Sequence, residues 1–143
     1  MNAKKRRSIP PLGQISPLIL LWIILHFVFP IQMILGFPLT LIGLAPVIVG
    51  LFINVQATIT LNRAHGSLVT EGAFRHSRNP IYLGGIVFFF GLAILLGSLV
   101  SFIFPTIFFL LLQFVFIPQE EKELKTLFGE EYLDYLKRVR KWI

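Results

Sequence analysis

Two short polar clusters hold most of the side chains in this chain that could do chemistry: Ser77-Arg78-Asn79-Pro80-Ile81-Tyr82 and Pro118-Gln119-Glu120-Glu121. An arginine can hold an anion, a tyrosine offers a hydroxyl and an aromatic face, and carboxylates accept hydrogen bonds from hydroxyls or an ammonium. The stretch between the clusters is apolar and divides into two runs, Ile81 to Ser98 and Leu99 to Ile117. At about 1.5 Å per residue, each run approaches the ~30 Å thickness of a bilayer's hydrocarbon core. A turn at Gly97-Ser98 makes them a hairpin, which returns Tyr82 and Glu120 to one membrane face. Each cluster also has a purely structural reading. Asn79 could cap a helix with Pro80 in its first turn and Tyr82 in an interfacial aromatic belt, and Glu120 and Glu121 could sit in the first turn of a helix begun by Pro118. That reading leaves Arg75, His76 and Arg78 unexplained, and the convergence of the two clusters favours a site.

The elements that must position these residues are helices in a membrane. Of the 143 residues, 55% are hydrophobic and 14% charged, and mean hydropathy is +0.79; soluble domains carry roughly a quarter charged residues. Two further apolar runs, about Ile15 to Leu35 and Gly36 to Val55, are separated near Pro30 to Pro38 and bring the expected spans to four. Because spanning backbone must satisfy its own hydrogen bonds, the expected fold is all-α, a single polytopic membrane domain over residues 1–143. It comprises a basic lead (1–14), transmembrane helices (15–117) interrupted by a cytoplasmic loop (56–80), and an amphipathic cytoplasmic tail (118–143).

The charge pattern fixes an expected orientation. Basic residues occur only at Lys4 to Arg7, at Arg63, Arg75 and Arg78, and from Lys122 to Lys141, and the acidic residues are Glu71, within the second set, and six from Glu120 to Asp134. Four spans put all of them on one side, which the positive-inside rule makes cytoplasmic. Both termini are then cytoplasmic, and in a bacterium the membrane is the inner one. The net charge of +6 reads as orientation and attraction to anionic membrane lipids. No nucleic-acid recognition module accompanies it, so nucleic acid is not an expected partner. The absence of cysteine excludes disulfides and a thiol nucleophile. The basic start followed by an apolar run reads as an uncleaved signal anchor, since no small-residue cleavage site follows.

Other features have structural readings. His26 and Gln32 are polar within the first span, and a neutral histidine there is expected to be satisfied by a neighbouring helix. Gly43, Pro46 and Gly50, like Gly84, Gly85 and Gly91, suit close helix packing. In the tail, Leu124, Leu127 and Phe128, then Tyr132, Tyr135, Leu136 and Val139, recur at helical spacing, with Gly129 dividing two short amphipathic helices. Trp142 and its basic neighbours read as an interfacial anchor. His26, His65 and His76 lack metal-ligand spacing, and no glycine-rich phosphate loop precedes a helix.

Three separated blocks in order carry a family resemblance: Leu68-Val69-Thr70-x-Gly72-x-Phe74-Arg75, then Arg78-Asn79-Pro80-x-Tyr82-Leu83-Gly84, then Glu120-Glu121-x-x-Leu124 with Phe128-Gly129-x-x-Tyr132-x-x-Tyr135 and Arg138-Val139. Over roughly residues 60 to 143 the chain resembles the isoprenylcysteine carboxyl methyltransferases and the related phospholipid methyltransferases, as a short member. The resemblance implies S-adenosylmethionine as cofactor, a cytoplasm-facing pocket closed by loop and tail, and a lipophilic or lipidated acceptor entering from the membrane. It also implies cofactor contacts from Leu68, Val69, Phe74, Asn79, Pro80, Ile81, Tyr82 and Glu120; for an acceptor that arrives charged, Arg78 and Arg138 are the candidate cationic anchors. This chain departs from the family pattern twice. Asn79 stands where the family usually has histidine, which removes a titratable group, and Gln113 to Gln119 lacks the arginine that holds a substrate carboxylate. The second departure implies an acceptor whose reacting end is neutral or only partly polar. Two other classes fit the scaffold: an NADPH-dependent membrane reductase of the sterol type, and a non-enzymatic membrane module.

Overall fold

A computed structural model of the chain describes residues 12–28, 35–64 and 66–143, without the side chains of residues 12–18. Residues 1–11 of the basic lead, Gln32 and His65 lie outside the described residues. Among the described residues every extended element is helical. The elements are α1 (Leu12–Val28), α2 (Leu44–Arg63), α3 (Pro80–Leu96), α4 (Ile103–Leu111), α5 (Ile117–Phe128) and α6 (Glu130–Arg138). Two continuous helices are long and apolar enough to cross a membrane, Leu39–Arg63 and Leu99–Phe128, and two shorter apolar ones are Ile19–Val28 and Pro80–Leu96. Large apolar side chains on α1 and α2, among them Phe27, Ile48 and Phe52, face outward. An apolar surface of this extent needs a non-aqueous cover.

The tightest contact runs between α2 and α3. A Cβ on Gly50 would lie 2.5 Å from Phe88 N and 2.6 Å from Gly84 O, and one on Gly43 would lie 2.5 Å from Gly91 O. From the other side, a Cβ on Gly84 would lie 2.8 Å from Gly50 O, and one on Gly91 would lie 2.6 Å from Val47 N. Gly43 therefore faces Gly91 and Gly50 faces Gly84. The two glycines on each helix share one spacing, so two antiparallel helices meet backbone to backbone at two levels. At the end of this seam Asn54 Nδ2 donates to Ile81 O at 3.0 Å, satisfying a polar side chain between the helices.

Gly97 ends α3 in the left-handed region at φ +68°, where its N–H bonds to Ala93 O and Ile94 O. A short 3-10 turn, Leu99–Phe102, then starts the return helix, as the expected hairpin requires. Trp22, Tyr82, Ala93, Phe104, Phe108, Leu112 and Ile117 form the main core, joining α1 to this hairpin. Trp22 stacks on Phe104 at 5.0 Å and donates its indole N–H to Ser101 O at 2.9 Å. His26 Nδ1 lies 3.0 Å from Ser98 Oγ and 3.1 Å from Ser101 Oγ, so the neighbouring turn does satisfy the histidine.

Two expected boundaries move. Residues 56–63 belong to α2, so the loop covers 64–79 and is shorter than the expected 56–80; Ala57 and Leu61 extend the helix because the loop's own apolar residues pack on them. Pro118 does not begin a separate tail helix. It removes the N–H that would bond Phe114 O, and the helix continues through a π turn, Leu112–Phe116, in which Ile117 N–H reaches back to Leu112 O. Trp142, expected at the interface as an anchor, is half-buried and packs with the main core, 5.6 Å from the Phe109 ring. The division at Gly129 stands: its φ of +53° separates α5 from α6, whose Tyr132 and Tyr135 pack with Leu124. Leu127, at 49% exposure, faces away from that cluster.

The seam sets a contrast between neighbouring glycines. A Cβ on Gly85 would have only Phe108 Cε1 near it, at 3.7 Å, an ordinary contact. Gly84→Ala should lower stability by about 1 to 3 kcal/mol, the usual cost of overpacking, while Gly85→Ala is tolerated. Thermal midpoints of the two variants in the same detergent check this; equal midpoints would show that the seam can open without cost.

Candidate functional site

The loop after α2 is folded by short-range bonds and then pinned by the tail. Ser67 directs both its N–H, at 2.9 Å, and its hydroxyl, at 2.7 Å, to Ala64 O, reversing the chain just past the helix. Gly72 passes close to α2, where a Cβ would meet Thr60 Oγ1 at 3.0 Å. Val69 and the fully buried Phe74 pack on Ala57, with Ile81 of α3 against them. From the other side Tyr135 Oη donates to Phe74 O at 2.7 Å, and Leu68 joins the tail cluster of Leu124, Tyr132 and Tyr135.

This arrangement leaves a cleft of about 420 Å³ between Thr60 and Arg63 of α2 and Ser67 to Gly72 of the loop. That volume falls within the ~300 to 1,000 Å³ of small-molecule sites. Its lining is chemically mixed: Arg63 brings a cation, Glu71 a carboxylate, Thr60, Ser67 and Thr70 hydroxyls, and Leu68 and Val69 apolar walls. Of the residues expected to contact a cofactor, only Leu68 and Val69 line it. Phe74 and Ile81 pack with Val69 behind that wall, Pro80 is fully buried, and Tyr82 belongs to the main core.

Arg63, Thr60 and Glu71 are cleft residues that reading the sequence missed. The signal available was that α2 continues in register past Val55, which carries Thr60 and Arg63 one and two turns beyond the apolar run.

The second half of the expected site is held together by charge and by backbone. Arg78 Nη1 lies 3.1 Å from Glu121 Oε1, with the two side chains only 14% and 25% exposed, so the first polar cluster does meet the second. Glu120 is half-buried on the same turn of α5. Asn79 occupies the helix-cap position without a side-chain cap bond; its Nδ2 donates to Lys141 O at 3.1 Å. Arg138 is exposed on α6, its Nε donating to Asp134 O at 3.3 Å. Nearby, the hydrogen bond from Lys137 and its charge hold the Asp134 carboxyl below its ordinary range. Phe114, one of the positions where a carboxylate-binding arginine was sought, is 71% exposed. Among the described residues no cluster of His, Asp and Glu could hold a metal ion.

The sequence model of the phospholipid methyltransferase family matches residues 31–131, a stretch that takes in the glycine seam, the cleft, the Arg78–Glu121 pair and α5. The chain belongs to that family. Among curated relatives, it is 32% identical to protein-S-isoprenylcysteine O-methyltransferase B of Arabidopsis thaliana, across 68% of this chain and 55% of that protein. The A form from the same plant is 33% identical over the same shares. Protein-S-isoprenylcysteine O-methyltransferase of Schizosaccharomyces pombe is 37% identical across 50% of this chain and 30% of that protein. The chain thus spans about half the length of the plant relatives it matches. No solved structure matches it.

The Tyr135 hydroxyl makes a buried bond from the tail to the loop wall of the cleft that removing a single atom abolishes. Tyr135→Phe should cost roughly 1 to 3 kcal/mol, because it leaves a buried carbonyl without its donor. It should also raise amide exchange across residues 72–76. Unaltered exchange there would mean that the loop holds its shape without the tail.

Proposed function

We propose that this chain is an S-adenosylmethionine-dependent methyltransferase acting on a lipophilic acceptor at the cytoplasmic face of a membrane. The family match over residues 31–131 carries this reading, and the cleft supports it with a place for the cofactor. The donor set suits that molecule. Glu71 can accept hydrogen bonds from ribose hydroxyls or the ammonium, Arg63 can pair with the carboxylate, and the backbone of Leu68 and Val69 can flank the adenine. When bound, the cofactor would supply an activated methyl group on its sulfonium, with adenosylhomocysteine as the leaving group.

The residues of the chain align and enclose. Phe74 and Ile81 hold the Val69 wall; Asn79, Pro80 and Tyr82 fix the start of α3 behind it. Glu120, beside Glu121 on α5, is the remaining proposed cofactor contact. Arg78 and Arg138 are the proposed anchors for a polar acceptor end. Arg78 already shares its charge with Glu121, so a fully charged carboxylate would have to compete with that partner. Together with the absence of basic residues from Leu99 to Glu121, this favours an acceptor with a neutral reacting end. Such a site gains its rate from orientation and water exclusion.

The same reading includes four spans in one domain, with both termini cytoplasmic. α3 has 17 residues, the lower limit for crossing, but it lies against α2 at both glycine levels and so shares its depth. α1 packs on the hairpin through Trp22 and His26, beside the same apolar body. A reporter fused after Ile143 should signal from the cytoplasm; a signal from the opposite side would overturn this topology and the placement of the site.

The cofactor assignment is tested by binding to the detergent-purified chain. Adenosylhomocysteine should bind and NADPH should not, and Glu71→Ala and Arg63→Ala should each weaken adenosylhomocysteine about tenfold to a hundredfold, as loss of a charge-assisted hydrogen bond does. Binding of NADPH alone would favour a reductase, and binding of neither a non-enzymatic module.

A further inference from the structure

We propose that residues 139–142 form a strap that positions the site, and that Asn79 is a positioning residue whose carboxamide latches it; the link to the site rests on the methyltransferase reading. Donors from three consecutive residues converge on two consecutive carbonyls of this segment. Arg78 N–H donates to Arg140 O at 3.0 Å, Ser77 Oγ to Lys141 O at 3.3 Å and Asn79 Nδ2 to Lys141 O at 3.1 Å. Ser77, itself buried, also accepts Asn79 N–H at 3.2 Å, so the donors are locked to one another before they reach the strap. At the far end Trp142 Nε1 donates to Gln113 Oε1 at 2.9 Å, inside the π turn. Four residues thus tie the start of α3 to the bend that aims α5, which are the two segments that Arg78 and Glu121 bridge.

The chemistry of the latch makes position 79 selective. Lys141 O has two lone pairs and takes both side-chain donors, so residue 79 must present an N–H. A neutral histidine retains one donor. An aspartate is isosteric with asparagine, yet it sets a carboxylate oxygen against a carbonyl oxygen, acceptor facing acceptor.

The test is amide exchange and adenosylhomocysteine binding on the full chain in detergent at pH 8, where imidazole is neutral. Asn79→Asp should raise exchange across residues 76–82 at least tenfold and weaken binding at least tenfold. Asn79→His should return both to within about threefold of wild type, a recovery that generic loosening of the fold would not give. Trp142→Phe, which keeps the ring and removes the N–H, should shift both readouts in the same direction, and adding it to Asn79→Asp should change little further. Wild-type exchange in Asn79→Asp, or raised exchange with unchanged binding, overturns the proposal. If Asn79→Asp does not fold, Asn79→His decides, since faster exchange in that variant also overturns it. A wild-type chain that does not bind adenosylhomocysteine defeats the methyltransferase reading, while the exchange pattern still decides whether Asn79 latches the strap.

Discussion

The close approach of α2 and α3 is the constraint on which the rest of the molecule depends. In a bilayer, apolar side chains gain little by leaving lipid for one another, so helices hold together through backbone proximity and a few polar contacts. Gly43 against Gly91 and Gly50 against Gly84 supply the first, and Asn54 to Ile81 O supplies the second. With α3 fixed in depth and rotation, Pro80 and the residues before it have one place to be. The last two turns of α2 then project beyond the seam as a fixed wall, and the loop of residues 64–79 folds onto it.

Above that wall the forces change character. Val69 and Phe74 bury apolar surface on Ala57, Tyr135 contributes a hydroxyl to a buried carbonyl, and Arg78 and Glu121 pair away from most solvent. Partly buried charges cost desolvation energy, which their proximity helps to offset here. Such a pair adds little net stability but discriminates among arrangements, because one that separates the partners loses their attraction and keeps the desolvation cost. The polar clusters that stand out in the sequence therefore act on each other as well as on any ligand.

Much of this was legible in the residues. Glycines at 43 and 50 and at 84 and 91 announce helix faces, Gly97 a hairpin, Gly129 a break, and the two polar clusters do meet. What was not legible depends on tertiary partners. Thr60 and Arg63 look like loop residues because the apolar run stops at Val55, yet the helix continues for as long as Phe74 packs on it. Asn79 has the side chain of a helix cap, and only the nearness of Lys141 O draws its amide elsewhere. Pro118 signals a break where a change of hydrogen-bond register lets the helix run on. Trp142 has the composition of a membrane anchor and folds inward because Gln113 is there to receive its N–H.

The π turn has a geometric consequence of its own. An α-helix advances about 100° of azimuth per residue, and a wider turn absorbs one residue beyond the regular count, so everything after it is re-phased relative to everything before it. α4 can therefore keep Phe104 and Phe108 on the core and Ile107 outward, while α5 aims Glu121 at Arg78 on a heading that the unbroken pattern would not provide. One helix carries two independent compass bearings, an apolar one in α4 and a polar one in α5, joined at Leu112–Phe116. Changes in α4 that preserve its length leave the bearing of α5 untouched, whereas inserting or deleting a residue inside the joint would rotate the acidic pair as a unit.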